Sequence, residues 1–202
     1  MAIRAVLFDY GNVFVRWNPE NLYRRLIPDE AARRHFLTEV CPLDWNDAHD
    51  GGALMADTLP ARAALFPDHA ELIHAWGARY GEMISGEIEG SIAILDELAA
   101  TGVQLAMLTN MPADQQDACF APFTRRHLFR DVIVSGPLKL KKPDARIYEH
   151  TLAQMGRAAS EVLFIDDSAK NVAGAEAVGL YGHRFTNPES LRAALAEHGL
   201  LR

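Results

Sequence analysis

Apolar residues in this chain fall into two alternating arrangements. In one they form short unbroken runs, Val6-Leu7-Phe8, Leu105-Ala106-Met107-Leu108, Val132-Ile133-Val134 and Val162-Leu163-Phe164-Ile165. Runs of this length without polar alternation are what strands buried on both faces require. They predict strands at 103–108, 132–135 and 162–165 after a first one ending near Phe8, and a shorter, more mixed strand at 181–185. In the other arrangement apolar residues recur every three or four positions, over 91–100, 144–155, 169–178 and from Pro188 onward, which predicts helices. Ser91 reads as an N-cap, Thr101-Gly102 as a helix end, and Pro188 as the opening of a terminal helix. Strands alternating with helices in this way imply an α/β fold with a parallel sheet and right-handed crossovers.

The alternation is interrupted once. From Asn18 to about Gly86 the β-branched runs vanish and Ala, Leu, Arg and Glu dominate at helical spacing. Asn18 followed by Pro19 opens a helix over 19–26, Pro28-Asp29 begins another that Cys41-Pro42 stops, and Asp68 begins a longer one with Leu72, Ile73, Trp76, Tyr80 and Met83 as its apolar stripe. The stretch Asp44-Trp45-Asn46-Asp47-Ala48-His49-Asp50-Gly51-Gly52 is polar, aromatic and glycine-bearing, and reads as a loop between these helices. It is either a plain connection or a substrate-facing loop, in which case Trp45 and Asn46 are its candidate contacts.

Three strands of the α/β part end in chemistry. Asp9 follows the first run, Thr109-Asn110 the second, and Asp166-Asp167-Ser168 the fourth, while Lys141-Lys142-Pro143-Asp144 places cations just before a helix. Ligands of open parallel sheets bind at the carboxyl ends of the strands, so these residues stand at the mouth of one site. Taken singly, each has a bland alternative: a capping acid, a turn, a solvated lysine.

Together and in this order, the four ends resemble the four motifs of the haloacid dehalogenase superfamily of phosphohydrolases, over residues 3 to about 182 apart from the segment after Val15. The finer pattern resembles the subgroup containing bacterial α-D-glucose-1-phosphate phosphatase. Asp9-Tyr10-Gly11-Asn12-Val13, Lys141-Lys142-Pro143-Asp144-Ala145-Arg146-Ile147-Tyr148 and the run from Phe164 through Asn171 carry that similarity. The resemblance implies a Rossmann-like doubly wound parallel sheet with a small inserted helical cap, the core formed by 1–15 and 88–202 and the cap by 16–87. It implies a magnesium-dependent phosphatase of a small phosphorylated metabolite, a sugar phosphate among the candidates. Asp9 is then the nucleophile that forms an aspartyl-phosphate, and Thr109, Asn110 and Lys142 bind the phosphoryl oxygens. Asp9, the Gly11 carbonyl and Asp167 hold Mg2+, with Asp166 in support.

The pattern departs at two positions. Gly11 stands where phosphatases of the superfamily usually carry a second aspartate, and Asn12 where they carry glycine. A backbone carbonyl survives the first change, but the acid that would protonate the leaving oxygen does not. Asparagine tolerates a left-handed backbone, so the turn survives the second.

Composition narrows the partners. In 202 residues with 49% hydrophobic and 23% charged content, one core plus an insertion is expected. The formal net charge of -7 argues against nucleic acid, and no apolar window is long enough to span a membrane. Met1-Ala2-Ile3-Arg4 leads straight into the first strand, and Cys41 and Cys119 lack metal-like spacing, which together predict a cytoplasmic protein with reduced thiols. Oligomeric state is not legible. Two other readings stay open: a metal-independent 2-haloacid dehalogenase, in which an aspartate attacks carbon, and a protein of the same fold that binds but has lost turnover through Gly11.

Overall fold

The computed structural model describes residues 2–202. Among the described residues seven strands run in chain order: β1 (Ala5–Phe8), β2 (Val15–Trp17), β3 (Ile84–Glu87), β4 (Gln104–Thr109), β5 (Asp131–Val134), β6 (Val162–Asp166) and β7 (Tyr181–Arg184). Five form a parallel sheet in the order β5-β4-β1-β6-β7, and β2 and β3 pair separately as an antiparallel ribbon. β1 is central and its four residues are buried, as its unbroken apolar run requires.

Eleven α-helices are present among the described residues. Five lie in the insertion: α1 (Glu20–Leu26), α2 (Glu30–His35), α3 (Leu43–Asp50), α4 (Met55–Leu65) and α5 (Ala70–Ala78). Six accompany the sheet: α6 (Glu89–Ala99), α7 (Gln116–Phe120), α8 (Ser135–Leu138), α9 (Ala145–Met155), α10 (Ala169–Ala177) and α11 (Pro188–Glu197). Alternate strand residues feed two apolar clusters. Val6, Phe8, Met107 and Ile165 join Leu95 of α6 and Leu191 of α11 on one face. Leu7, Leu108 and Phe164 join Ile147 and Tyr148 of α9 and Ala175 of α10 on the other. Helices on both faces make the sheet doubly wound, as expected.

The first cluster continues into the insertion through Tyr23, Phe36, Ile73 and Trp76, so the helical segment is packed against the α/β part and is not suspended from it. β2 and β3 are the outgoing and returning chain, with Val15 in register with Glu87 and Trp17 with Ile84. The expected boundaries at 15/16 and 87/88 fall on this ribbon.

Three local expectations are corrected. Residues 44–52 are not a loop: all but the two glycines belong to α3, held helical by the tertiary contacts of its side chains. Ser91 is not an N-cap. It lies inside α6, buried, its hydroxyl without a hydrogen-bond partner among the described residues, and the helix starts at Glu89 after Ile88. The segment from Asp68 is broken into a 3-10 turn at Pro67–His69, α5, and a second 3-10 turn at Tyr80–Met83, although Ile73, Trp76, Tyr80 and Met83 are all buried as the stripe demands. No helix among the described residues is long and apolar enough to cross a membrane.

Candidate active site

Register brings the strand ends together. Phe8 is opposite Met107 on one side and Ile165 on the other, so the next residue, Asp9, lies beside Asp166, with Thr109 one step further along β4. The Asp9 amide continues the ladder by donating to the Ile165 carbonyl at 2.8 Å. Lys142 reaches into this cluster from the loop before α9. Its Nζ lies 2.8 Å from Asp9 Oδ1 and 2.7 Å from Asp166 Oδ2, and donates to the Leu108 carbonyl at 2.9 Å. Its side chain is fully buried, so these three oxygens replace the water that the ammonium gave up.

Asp166 is saturated. It accepts from Lys142, from the Ser168 amide at 2.8 Å, and from Asn171 Nδ2 at 3.0 and 3.1 Å. It therefore fixes Lys142 and the start of α10 and has little capacity left for another ligand. Asn110 also spends its amide on Lys142: Oδ1 accepts from the Lys142 amide at 2.9 Å and Nδ2 donates to the Lys142 carbonyl at 3.1 Å. One amide hydrogen of Asn110 stays free for an anion.

Three carboxylates, Asp9, Asp166 and Asp167, offer oxygens within 4.8 Å of one another and face a single ammonium. Burial pushes the Asp9 carboxyl up to about 7 against the pull of Lys142, and Asp166 and Asp167 add to the rise. Burial and Asp166 likewise raise Asp167. On Lys142 burial works downward, but Asp9 and Asp166 outweigh it and hold the lysine charged. This imbalance of hard oxygen donors over cation is chemistry that suits a divalent ion such as Mg2+.

The turn after β1 completes the arrangement. Asn12 adopts φ 55°, and its Oδ1 accepts from the Trp17 amide at 3.1 Å, so an asparagine holds the left-handed position without glycine. Gly11 itself is not left-handed, and a Cβ placed there would meet nothing within 4 Å. Neither backbone nor space requires glycine at position 11.

Asp9, Gly11, Thr109, Asn110, Lys142 and Asp167 line one cavity, and so does Asn46. Trp45 does not. It is half-buried within the insertion, edge-on to His49 and Trp76 and beneath the Arg62 guanidinium. Asn46 is buried, and its Oδ1 accepts from Trp76 Nε1 at 3.1 Å. The far wall comes from residues that sequence reasoning did not single out for the site: Val15 and Trp17 of β2, Ile84 of β3, Tyr80, and Asp50 at the end of α3. Asp50 lay within the polar stretch that drew attention to Trp45 and Asn46, and the four-residue spacing of a helix puts it on the face of Asn46, toward the cavity.

A family model of haloacid dehalogenase-like hydrolases matches residues 3–179. Over 198 residues the chain is 26% identical to a sesquiterpene phosphatase of Aspergillus oryzae, an alignment covering 91% of this chain and 90% of that protein. Its fold is similar to that of a HAD-like hydrolase from Porphyromonas gingivalis, with a TM-score of 0.71 at 22% identity over 98% of both chains. It is also similar to a HAD family enzyme from Bacteroides thetaiotaomicron solved with magnesium and inorganic phosphate, with a TM-score of 0.70 at 18% identity over 92% of this chain and 96% of that one. The family match spans most of the chain and includes the four strand ends that converge on the cavity: the chain belongs to the haloacid dehalogenase-like hydrolases.

Proposed function

We propose that this protein is a magnesium-dependent phosphatase of a small phosphate monoester, acting through an aspartyl-phosphate on Asp9. The contact between Asp9 and Lys142 within a three-carboxylate cluster carries the reading. A carboxylate attacking a phosphate dianion meets like charge, and the ammonium sits where it offsets that repulsion. Asp9, the Gly11 carbonyl and Asp167 would hold the metal, which when bound shields the phosphoryl oxygens and balances the excess acid. The Thr109 hydroxyl, the free amide hydrogen of Asn110 and Lys142 orient those oxygens, and Asp166 keeps Lys142 in place. Halide release is the less suitable alternative, because a site crowded with carboxylates repels a haloacid anion unless a cation is present.

The helical insertion serves as a cap that excludes water and contacts the leaving group. Its side of the cavity mixes apolar Trp17 and Ile84 with polar Asn46, Asp50 and Tyr80. That mixture favours a leaving group with both hydroxyls and an apolar face, as a sugar phosphate has. The two cysteines are unpaired and buried, which fits work in a reducing cytoplasm.

Phosphate release from 4-nitrophenyl phosphate is expected to need added magnesium and to stop in chelator, while 2-chloropropionate yields no halide. Full activity in chelator, or halide release, would overturn the assignment. Specificity divides the insertion: Asn46→Ala is expected to change the ratio of kcat/KM between glucose 1-phosphate and 4-nitrophenyl phosphate by about tenfold or more, as changes in a pocket wall do, whereas Trp45→Phe, outside the cavity lining, leaves it within about twofold. Equal shifts in both variants would show that the cavity wall is not where substrate is read.

A further inference from the structure

One proton in that reaction has no donor on β1 or its turn. An alkoxide leaves phosphorus slowly unless protonated, and Gly11 carries no side chain to do it. Of the titratable groups lining the cavity, Asp9, Lys142 and Asp167 are committed to the phosphoryl centre. The Tyr10 hydroxyl donates to the Cys119 carbonyl at 2.8 Å, burial pushes the Cys119 thiol up to about 12, and burial holds Tyr80 well above the usual phenol range. Asp50 remains.

We propose that the Asp50 carboxyl, delivered by the cap at the last residue of α3, is the acid that protonates the leaving oxygen and then the base that activates water, in place of a side chain at position 11. The proposal rests on the phosphatase reading. In the first step Asp9 forms a bond to phosphorus, the bond from phosphorus to the leaving oxygen breaks, and the Asp50 proton passes to that oxygen to give the free alcohol. In the second, water attacks the aspartyl-phosphate, its proton passes to the Asp50 carboxylate, and the bond to Asp9 breaks to give inorganic phosphate. Both carboxyl groups end as they began.

The structure provides for this in three ways. Asp50 Oδ1 is buried with no hydrogen-bond partner among the described residues, so this acceptor has nothing else to do. Its backbone is pinned to the core: Ser135 Oγ donates to the Asp50 carbonyl at 2.7 Å and itself accepts from the Met111 amide at 3.0 Å. One turn earlier Lys141 holds the Asp47 carboxylate, and donates to the Asp47 carbonyl at 3.0 Å. The carboxyl is thus presented to the cavity by a helix docked at two points.

The charges around it suit both roles. Burial pushes Asp50 up to about 7, Asp47 pushes the same way, and Lys141 and Lys142 pull it back. Tyr80 and Cys119, the other titratable groups facing it, stay neutral. The C-terminal end of α3 adds a negative dipole that also disfavours ionisation. Near neutral pH both acid and base forms are populated, the condition for passing a proton in each direction.

The test compares 4-nitrophenyl phosphate, whose phenolate leaves without a proton, with glycerol 2-phosphate, whose alkoxide does not. Asp50→Asn is expected to lower kcat/KM for the glycerol ester by about 10²-fold to 10⁴-fold and for the aryl ester far less. Gly11→Asp added to Asp50→Asn should recover at least about tenfold on the glycerol ester, because a Cβ at position 11 meets nothing within 4 Å. In the unmodified enzyme the glycerol-to-aryl ratio of kcat/KM should fall as pH rises through about 7, where Asp50 loses its proton, a measurement that depends on no variant. Equal losses on both esters, or a pH-independent ratio, would overturn the role of Asp50 while leaving the phosphatase reading intact. An unmodified enzyme that releases phosphate from neither ester would overturn both.

Discussion

Asp9→Asn leaves the fold in place and phosphate release near background. The substitution is close to isosteric, and the Asp9 amide still donates to Ile165, so the ladder of β1 and β6 is untouched. Lys142 loses one of its three oxygen partners as a charge but keeps Asp166 and the Leu108 carbonyl. A buried acid whose ionisation is already opposed by burial is exchanged for a neutral amide, so the melting temperature should move by only about 2–4 °C, the size of a ~1 kcal/mol change in a chain of this length. The rate should fall far more, on the order of 10⁶-fold, as when a covalent nucleophile is removed. Retention of more than a few per cent of the activity would show that some other group attacks phosphorus. Acid-quenched enzyme should carry phosphate on Asp9 in the unmodified chain and none in the variant, read by mass.

Lys142→Ala is expected to damage both rate and stability. Its ammonium separates Asp9 from Asp166, and its side chain has no solvent contact. Removing it leaves two buried carboxylates facing each other, a loss of about 3–5 kcal/mol when one partner of a buried pair is deleted. Loss of the positive charge at the developing phosphoryl charge should cost on the order of 10²-fold to 10³-fold in turnover. Lys141→Ala is the control. That side chain is 30% exposed and pairs with Asp47 across the boundary between core and cap, so its loss should cost no more than about 1 kcal/mol and leave aryl phosphate turnover within a few-fold. Denaturant titration and kcat on the three proteins decide the matter, and equal losses in the two variants would mean that the adjacent lysine is the one at the site.

The strand ends were readable from the sequence because their chemistry is local. A parallel strand buried on both faces leaves an unbroken apolar run, and a charged or polar residue that ends the run stands at the rim of the sheet. Asp9, Thr109 and Asp167 share a cavity for that reason, and Lys142 joins them from the loop before α9. The insertion was readable as helical but not as a surface. α3 carries Asp44, Asn46, Asp47, His49 and Asp50 in eight residues, a composition that favours turns on its own. It is helical because distant partners hold it: Trp76 on Asn46, Thr58 on His49 and Lys141 on Asp47. None of these is written within reach of the helix, and the same contacts decide that Asn46 and Asp50 face the cavity while Trp45 faces the packing. α4 begins without a side-chain cap and carries Pro60 inside, so it gave no start signal. The strands of the ribbon are too short to show any period, and their pairing joins residues from opposite ends of the insertion.

That ribbon bears on how such a molecule changes over generations. Outgoing and returning chains meet side by side at Val15 and Glu87, so the insertion leaves and re-enters at one place, on a ribbon separate from the five-stranded sheet. The segment between Asn18 and Met83 can therefore change in length with no rethreading of the sheet, and Asp9, which follows β1, keeps its place. The sheet and its loops keep Asp9, Lys142 and Asp167 together whatever the insertion becomes, while the cavity wall that Asn46 and Asp50 supply changes with it.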